Sequence, residues 1–496
     1  MFRAPLISLF VAVSAFGPAF SQSAPTSLAR MERQFAELRK SPPDLFAFLY
    51  RMPKGADLHN HLSGAIYAES FLKSAADDHL CIDKIALAIE EPPCKADQVE
   101  ASAAQSDNNL RNAMIDSLSM RNFVPGKESA HDHFFAAFNK FGAVESGPLL
   151  AEVVQRAADQ NESYIELMAL SGGGPVSDLG KTAGLDDDFD ITRQKLEASG
   201  FAPMVAMLKT RVEQLELARQ HALGCQGSPG SGPCKVQVHY VYQVLREFPK
   251  EEVFAQVMAG FALASADPRV VAVNFVQPED GVASMRDYHL QMRMVDYAKR
   301  IYPSVHITLH AGELAPGLVP PDGLRFHIRE AVEIGHAERI GHGVDIMHEK
   351  DPEQLLKIMH DRHIAVEINL TSNDLILGIR GDDHPFPVYR KYGVPVALST
   401  DDEGVSRSQL TEEFQKAVLT YKLTYQDLKE LVRNSLEYSF APGESYWAKG
   451  AYGTPVSVCF ANKQSPDCKT FLQANEKARL QADLEERFIE FERTIH

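Results

Sequence analysis

Residues 305–313 read VHITLHAGE and residues 339–343 read RIGHG. Each is a short apolar run that ends in a histidine, and the first alternates as a half-buried strand does. Working outward, similar β-like runs recur at Ala56–His61, Tyr164–Met168, Lys235–Tyr242 (KVQVHYVY), Val270–Val276 (VVAVNFV), Val305–His310, Arg339–His342, Ile364–Asn369 (IAVEIN) and Pro395–Ser399 (PVALS). Helical patterns such as Met285–Ile301, Leu324–Ile334 and Pro352–Arg362 lie between them. Strands alternating with helices predict a parallel sheet. Eight such units predict an α/β fold of the (β/α)8 TIM-like barrel type, with extended loop insertions and extra helices. An open doubly wound sheet is the competing architecture, but no GxGxxG follows a strand.

The rest of the chain is arranged around those runs as a single domain over residues 25–496. Residues 25–50 predict an amphipathic lead-in helix, with Leu28, Met31, Phe35 and Leu38 at helical spacing. Residues 69–162 and 171–233 are too long for simple connections and are expected to be insertions that build lids and binding walls. Residues 404–496 are expected to be mostly helical and to pack outside the barrel.

The chain has 496 residues, 45% hydrophobic and 24% charged, which is ordinary globular composition. Fifty Lys+Arg against 67 Asp+Glu give a net charge of −17. That balance argues against a nucleic-acid-binding surface and against docking on anionic lipid, and points to a small-molecule partner. It leaves the oligomeric state open. Arg3, the apolar runs Leu6–Val13 and Ala15–Phe20, and the small-residue exit Ser21–Ala24 have the pattern of a signal peptide over residues 1–21. The mature protein is therefore expected to be secreted or periplasmic, with no membrane contact after removal of the signal. The six cysteines fall into sequence-local pairs. Short loops close most cheaply, so Cys81–Cys94, Cys225–Cys234 and Cys459–Cys468 are the expected disulfides, suited to an oxidising compartment.

Polar residues cluster at the C-terminal ends of the expected strands, the catalytic face of such a barrel. His59 and His61 end the first strand two residues apart, so both imidazoles can reach one metal. His310 ends the fifth strand, with Glu313 three residues beyond. His342 ends the sixth, and Asp401-Asp402 end the eighth. Imidazoles plus a carboxylate make an N/O site suited to Zn²⁺, which lowers the pKa of a bound water toward neutrality. On spacing alone His342 is either a fourth ligand or a base beside the metal. His131-Asp132-His133 repeats the HxH pattern inside a helical stretch and reads as a solvated helix face.

Met52–Ala65 (MPKGADLHNHLSGA) resembles the opening motif of the adenosine deaminase family. His310–Glu313 (HAGE), Arg339–Gly343 (RIGHG), Glu367–Asn373 (EINLTSN), His384-Pro385 and Ser399–Asp402 (STDD) are similar to its later motifs, in order. The signal-like start and enlarged first loops also resemble the family's secreted, growth-factor-type branch. The resemblance implies one Zn²⁺ per chain held by His59, His61, His310 and Asp401. It implies that Glu313 protonates purine N1, that His342 is a non-ligand which orients the attacking oxygen, and that Asp402 contacts N7. It also implies that Asp401 touches that oxygen and that His61 and Gln277 lie beside the substrate. The implied reaction is conversion of adenosine or 2′-deoxyadenosine to inosine or deoxyinosine and ammonia.

Two departures from the family pattern bear on the substrate. Gln277 stands where the family has a Gly whose N–H binds the purine, and Glu403-Gly404-Val405-Ser406-Arg407 replaces a Pro after the aspartate pair. Two other functions compete with the deaminase. A different barrel amidohydrolase would want a bridging Lys, and none ends a strand. A binding or growth-factor-like homologue without catalysis would not need the full His, Glu and Asp set.

Overall fold

The computed structural model describes residues 27–227, 230, 232–449 and 451–495. The expected signal peptide over residues 1–21 lies outside the described residues. Eight parallel strands form one sheet in sequence order: Gly55–His61 (β1), Glu162–Ser171 (β2), Gln237–Leu245 (β3), Val270–Val276 (β4), His306–Ala311 (β5), Arg339–His342 (β6), Ala365–Ile368 (β7) and Val396–Leu398 (β8). The first and last meet again. The amide of His61 donates to Asp401 O at 3.0 Å and the amide of Asp401 to His59 O at 2.8 Å, beside a parallel bridge between Asn60 and Asp401. The sheet is thus a barrel whose seam is closed by the residues that carry the polar motifs. All eight expected strands are present, as the (β/α)8 reading requires.

Helices cover the outside. Val282–Ile301 and Pro352–Asp361 occupy the expected positions, whereas Leu324–Ile334 divides into a 3₁₀ turn, Pro321–Leu324, and a helix, His327–Glu333. The lead-in stretch is two helices rather than one, Ser27–Leu38 and Pro42–Arg51. Pro42 and Pro43 cannot continue a preceding helix but suit the first turn of a new one. Both helices bury apolar side chains: Met31 and Phe35 in the first, Leu45, Phe48 and Leu49 in the second. The C-terminal segment is helical outside the barrel, as expected. Its helix Tyr425–Glu437 lies on β1 and β8, where Ser435 Oγ accepts from Ala56 N at 2.9 Å and Asn434 donates to Val396 O at 2.9 Å.

Within residues 69–162, a small antiparallel sheet has Cys81–Asp83 between Ala88–Glu90 and Gln98–Glu100. Three helices, Asn108–Ser117, Ala130–Ala137 and Ser146–Asp159, follow. Within residues 171–233, the helices Pro175–Ala183, Phe189–Ala198 and Phe201–Ala222 form a layer. The bonded pairs are Cys81–Cys94, Cys225–Cys234 and Cys459–Cys468. Among the described residues no helix is long and apolar enough to cross a membrane.

Candidate metal centre and its cavity

Four histidines and an aspartate from four strand ends converge at the C-terminal rim. Ligand-type atoms of His59, His310, His342 and Asp401 all lie within 4.8 Å of one another. His61 joins through its Nε2, 3.2 Å from His310 Nε2 and 3.3 Å from Asp401 Oδ1. All five are buried. His59 can approach the β6 backbone because residue 341 is glycine: a Cβ there would stand 2.7 Å from His59 Cε1.

The outer nitrogens of the rings sort these histidines into two kinds. His59 Nδ1 donates to Glu367 Oε2 (2.6 Å), His61 Nδ1 to Gln243 Oε1 (3.2 Å) and His310 Nδ1 to Asn274 Oδ1 (3.0 Å). Each proton is thereby held on Nδ1, and each Nε2 turns a lone pair toward the cluster, as a metal ligand must. His342 is reversed. Its Nδ1 accepts from Asn373 Nδ2 at 2.9 Å, so its Nε2 carries the proton, 4.0 Å from Asp401 Oδ2. Three imidazole lone pairs and the Asp401 carboxylate are the donor set of a metal site, and His59 Nε2 is a buried atom that makes no hydrogen bond of its own. The residues present fit a metal.

Charge in the site follows from burial and neighbours. Burial opposes charge on Asp401, yet His59 and His61 hold its carboxyl well below the usual range. Burial also opposes charge on His59, but Asp401 and Glu367 lift its metal-free ring to about 10. Burial, with the neighbouring imidazoles, keeps His310 well below its ordinary value, and burial brings His342 down to about 3. Under the cluster, Arg339 bridges Glu166 and Glu367, with 2.5 Å to each, and Thr308 donates to Glu367 at 2.8 Å. Against the effect of burial, Arg339 then His59 hold Glu367 at about 2, an anion that orients His59.

Two acids face the same space with the opposite tendency. Burial, then Asp401 and Glu279, push Glu313 well above the carboxylate range. Burial and Asp401 do the same to Asp402, whose Oδ1 is buried without a hydrogen-bond partner. Perturbed acids of this kind mark functional sites. Glu279 fixes the turn that carries Glu313. It accepts from Glu313 N (2.7 Å), from Gly312 N (3.1 Å) and from His327 Nδ1 (2.5 Å).

These groups open into a cavity of about 660 Å³ lined by His61, His310, Glu313, Asp401 and Asp402. The opposite wall is the first insertion: His131, Phe134, Phe135, Phe138 and Phe141. That corrects the reading of His131-Asp132-His133 as a solvated face. Asp132 is exposed, but His131 lines the cavity and bonds Asp280 of the loop after β4 at 3.0 Å. Gln277 also lines the cavity, with a backbone φ of +83°, the region glycine favours. Its Oε1 accepts from Glu247 N at 2.9 Å, so the side chain is tethered to the loop after β3. A separate cavity of about 480 Å³ lies at the other end of the barrel, around His306, Arg339 and Lys477, and contains no member of the cluster.

Two cations near the motifs are structural. Lys54 is buried and donates to Leu49 O and Gln160 O, both at 2.6 Å, and Arg407 pairs with Glu69 at 2.6 Å. A third was missed in the sequence: Arg246, buried, donates to Phe275 O and His310 O at 3.1 and 3.2 Å. Nothing in LREFPK marks that arginine as buried.

A (β/α)8 barrel with three lone-pair histidines, an aspartate and a neutral acid at its C-terminal rim has the layout of a metal-dependent barrel hydrolase. Residues 209–447 match the family model "Adenosine deaminase", in agreement with the resemblance carried by the motifs. The chain is 35% identical over 139 residues to an adenosine deaminase of Clostridium perfringens, covering 28% of this chain and 39% of that one. It is 31% identical over 212 residues to an adenosine deaminase of Vibrio atlanticus, covering 42% and 58%. The chain thus spans less than two thirds of these relatives. The solved structure of Arabidopsis ADAL complexed with IMP shares the fold at a TM-score of 0.53 and 18% identity, over 89% of this chain and 99% of that one.

Proposed function

We propose that the chain is an exported, zinc-dependent hydrolytic deaminase of adenosine and 2′-deoxyadenosine. The observation that carries this reading is the ring orientation: His59, His61 and His310 turn lone pairs to the cluster with Asp401, while neutral Glu313 and Asp402 face the adjoining cavity. A zinc ion held by those four residues supplies Lewis acidity to the attacking water when bound.

The chain's own groups do the rest. Glu313, kept protonated by burial and by its anionic neighbours, gives a proton to purine N1, which makes C6 electrophilic. Asp402, protonated for similar reasons, donates a hydrogen bond to N7. His342 donates Nε2–H to the incoming oxygen and orients it. As the C6–O bond forms, one water proton restores Glu313 and the other reaches the exocyclic nitrogen. The C6–N6 bond then breaks, and ammonia and the 6-oxopurine leave. Phe134, Phe135, Phe138 and Phe141 offer apolar, stackable surface that excludes water.

The nucleoside preference rests on the cavity lining, which contains no Lys or Arg among the described residues. A 5′-phosphate would find no charge-assisted partner there. Export rests on the signal-like start and on the three disulfides. The test is ammonia release from adenosine, deoxyadenosine, AMP, adenine and N6-methyladenosine, each with and without chelator. Adenosine and deoxyadenosine should rank first by kcat/KM, and chelation should abolish turnover. AMP or adenine ranking first would overturn the nucleoside assignment, and chelator-resistant turnover would overturn the metal.

A further inference from the structure

We propose that Asn373 and His384 are positioning residues that set the tautomer of His342, holding its proton on Nε2 and so excluding it from the ligand set. The inference rests on the reading of the cluster given above. It adds a role for the EINLTSN and His384-Pro385 motifs, which the reaction itself does not use.

The argument starts from a group that has no choice. The backbone N–H of Phe386 can only donate, and it donates to His384 Nδ1 at 3.1 Å. That nitrogen therefore carries the lone pair, and the proton of a neutral His384 ring sits on Nε2. His384 Nε2 lies 3.1 Å from Asn373 Oδ1 and donates to it. This fixes the asparagine amide, which turns its NH₂ toward His342. Asn373 Nδ2 lies 2.9 Å from His342 Nδ1 and can only donate, so the lone pair of His342 is on Nδ1. Asn369 Nδ2, 3.4 Å from the same nitrogen, has the same polarity. Glu313 Oε1 is 3.6 Å from His342 Nδ1, beyond hydrogen-bond reach. His342, Asn369, Asn373 and His384 are all buried, so water does not compete.

His342 consequently meets the cluster with an N–H, where His59, His61 and His310 meet it with lone pairs. One backbone amide, relayed through two side chains, decides which imidazole donates a hydrogen bond and which three can bind a cation. Reversing the relay would offer the metal a fourth imidazole lone pair and remove the donor.

The direct test is ¹⁵N NMR of histidine-labelled protein, metal-free and zinc-loaded. His342 should show a protonated Nε2 and an unprotonated Nδ1 in both. The opposite assignment in the wild type overturns the proposal without reference to any substrate. Asn373→Asp replaces the donor with an acceptor while still accepting from His384. It should move the proton to Nδ1 and cost about 10²–10⁴-fold in kcat, with KM changed by less than about threefold. Turnover within about threefold of wild type overturns the proposal. Should that variant fail to fold, His384→Gln and His384→Leu decide. Gln can still donate to Asn373 Oδ1 and should retain most of the turnover and the Nε2 proton. Leu frees the asparagine to turn over and should give mixed tautomers and a loss of at least about tenfold. Equal behaviour of the two overturns the relay. If the wild-type spectrum is as expected while no purine is deaminated, the relay stands and the proposed reaction falls.

Discussion

Gly64 sits in the turn Leu62–Ala65 directly after β1, with the Asp402 side chain packed against its α-carbon. A Cβ at this position would lie 1.6 Å from Asp402 Oδ1, 2.4 Å from Cγ and 2.7 Å from Cβ. Comfortable contact needs about 3.5 Å, so Gly64→Ala requires the carboxyl to retreat by about 2 Å. The clash covers the whole short side chain, so a small rotation of its tip does not relieve it. The backbone has little room to give, because a Cβ on Gly404 would lie 2.0 Å from Ile66 O, showing how tightly the two turns are nested. Overpacking of this kind costs about 1–3 kcal/mol of stability, which a chain of this size should survive. Displacing a substrate-contacting group by 1 Å or more costs about 10²-fold in rate.

Gly64→Ala should therefore fold, retain its metal and lose about 10²-fold or more in kcat/KM for adenosine. The assay is steady-state ammonia release, with metal content and thermal unfolding measured on the same preparation. Gly227→Ala, where the nearest heavy atom to an added Cβ is 3.9 Å away, is the control and should match wild type. A folded, metal-loaded Gly64→Ala protein with near-normal kcat/KM would refute the reasoning, because Asp402 would then have no part in holding the base. Loss of the metal would instead mean that the displacement passes through the backbone to Asp401.

His61→Ala should lose metal and activity together, since it removes one of three lone-pair imidazoles; full occupancy by elemental analysis would strike His61 from the ligand set. Glu313→Gln should keep the metal and lose about 10²–10⁴-fold in turnover, because an amide can hydrogen-bond to N1 but has no proton to give; near-normal turnover would remove it from the reaction. His131 is drawn above its ordinary pKa by Asp280 and Asp132 against the opposing effect of burial. Its bond to Asp280 therefore stabilises the fold fully below the unfolded value of about 6.5, and that contribution is lost as pH rises through the raised folded value. The difference in Tm between wild type and Asp280→Asn should shrink as pH rises past that value, and a pH-independent difference would contradict the pairing.

The barrel was legible because each strand is a short apolar run between helical patterns, a signal carried by local sequence. The rim residues were legible because HxH, HAGE, RIGHG and STDD stand at strand ends, where side chains converge whatever the details of packing. The partners of the rings were not singled out, since they come from other strands and depend on register. Yet a trace was present: Asn274 in VVAVNFV and Glu367 in IAVEIN are lone polar residues inside apolar strands, and they bond His310 and His59. The wall at His131 was misread because HDHFF has no barrel periodicity, and its position depends on how the whole insertion folds back. The left-handed backbone at Gln277 was equally hidden, because glutamine gives no sign of adopting it, although the family's glycine at that place does.

Glu403 shows how such a departure is absorbed. A charged residue next to Asp402 would be costly if buried alone, and Glu403 is buried. Arg156, from the helix Ser146–Asp159, meets it at 2.9 Å and also donates to Ala65 O at 2.6 Å. Asn60 reaches the same carboxylate at 3.4 Å and Thr400 Oγ1 at 3.0 Å, and Thr400 in turn donates to Asp57 at 2.5 Å. The replacement therefore stitches three things together: the β8–β1 seam, the turn after β1, and a helix whose first residue, Ser146, lines the cavity. Removing Arg156, which is itself only partly buried, would leave the buried Glu403 carboxylate without its cation. The aspartates at the centre and the wall above them are thus held by the same ion pair, which ties the departure from the family pattern to the insertion.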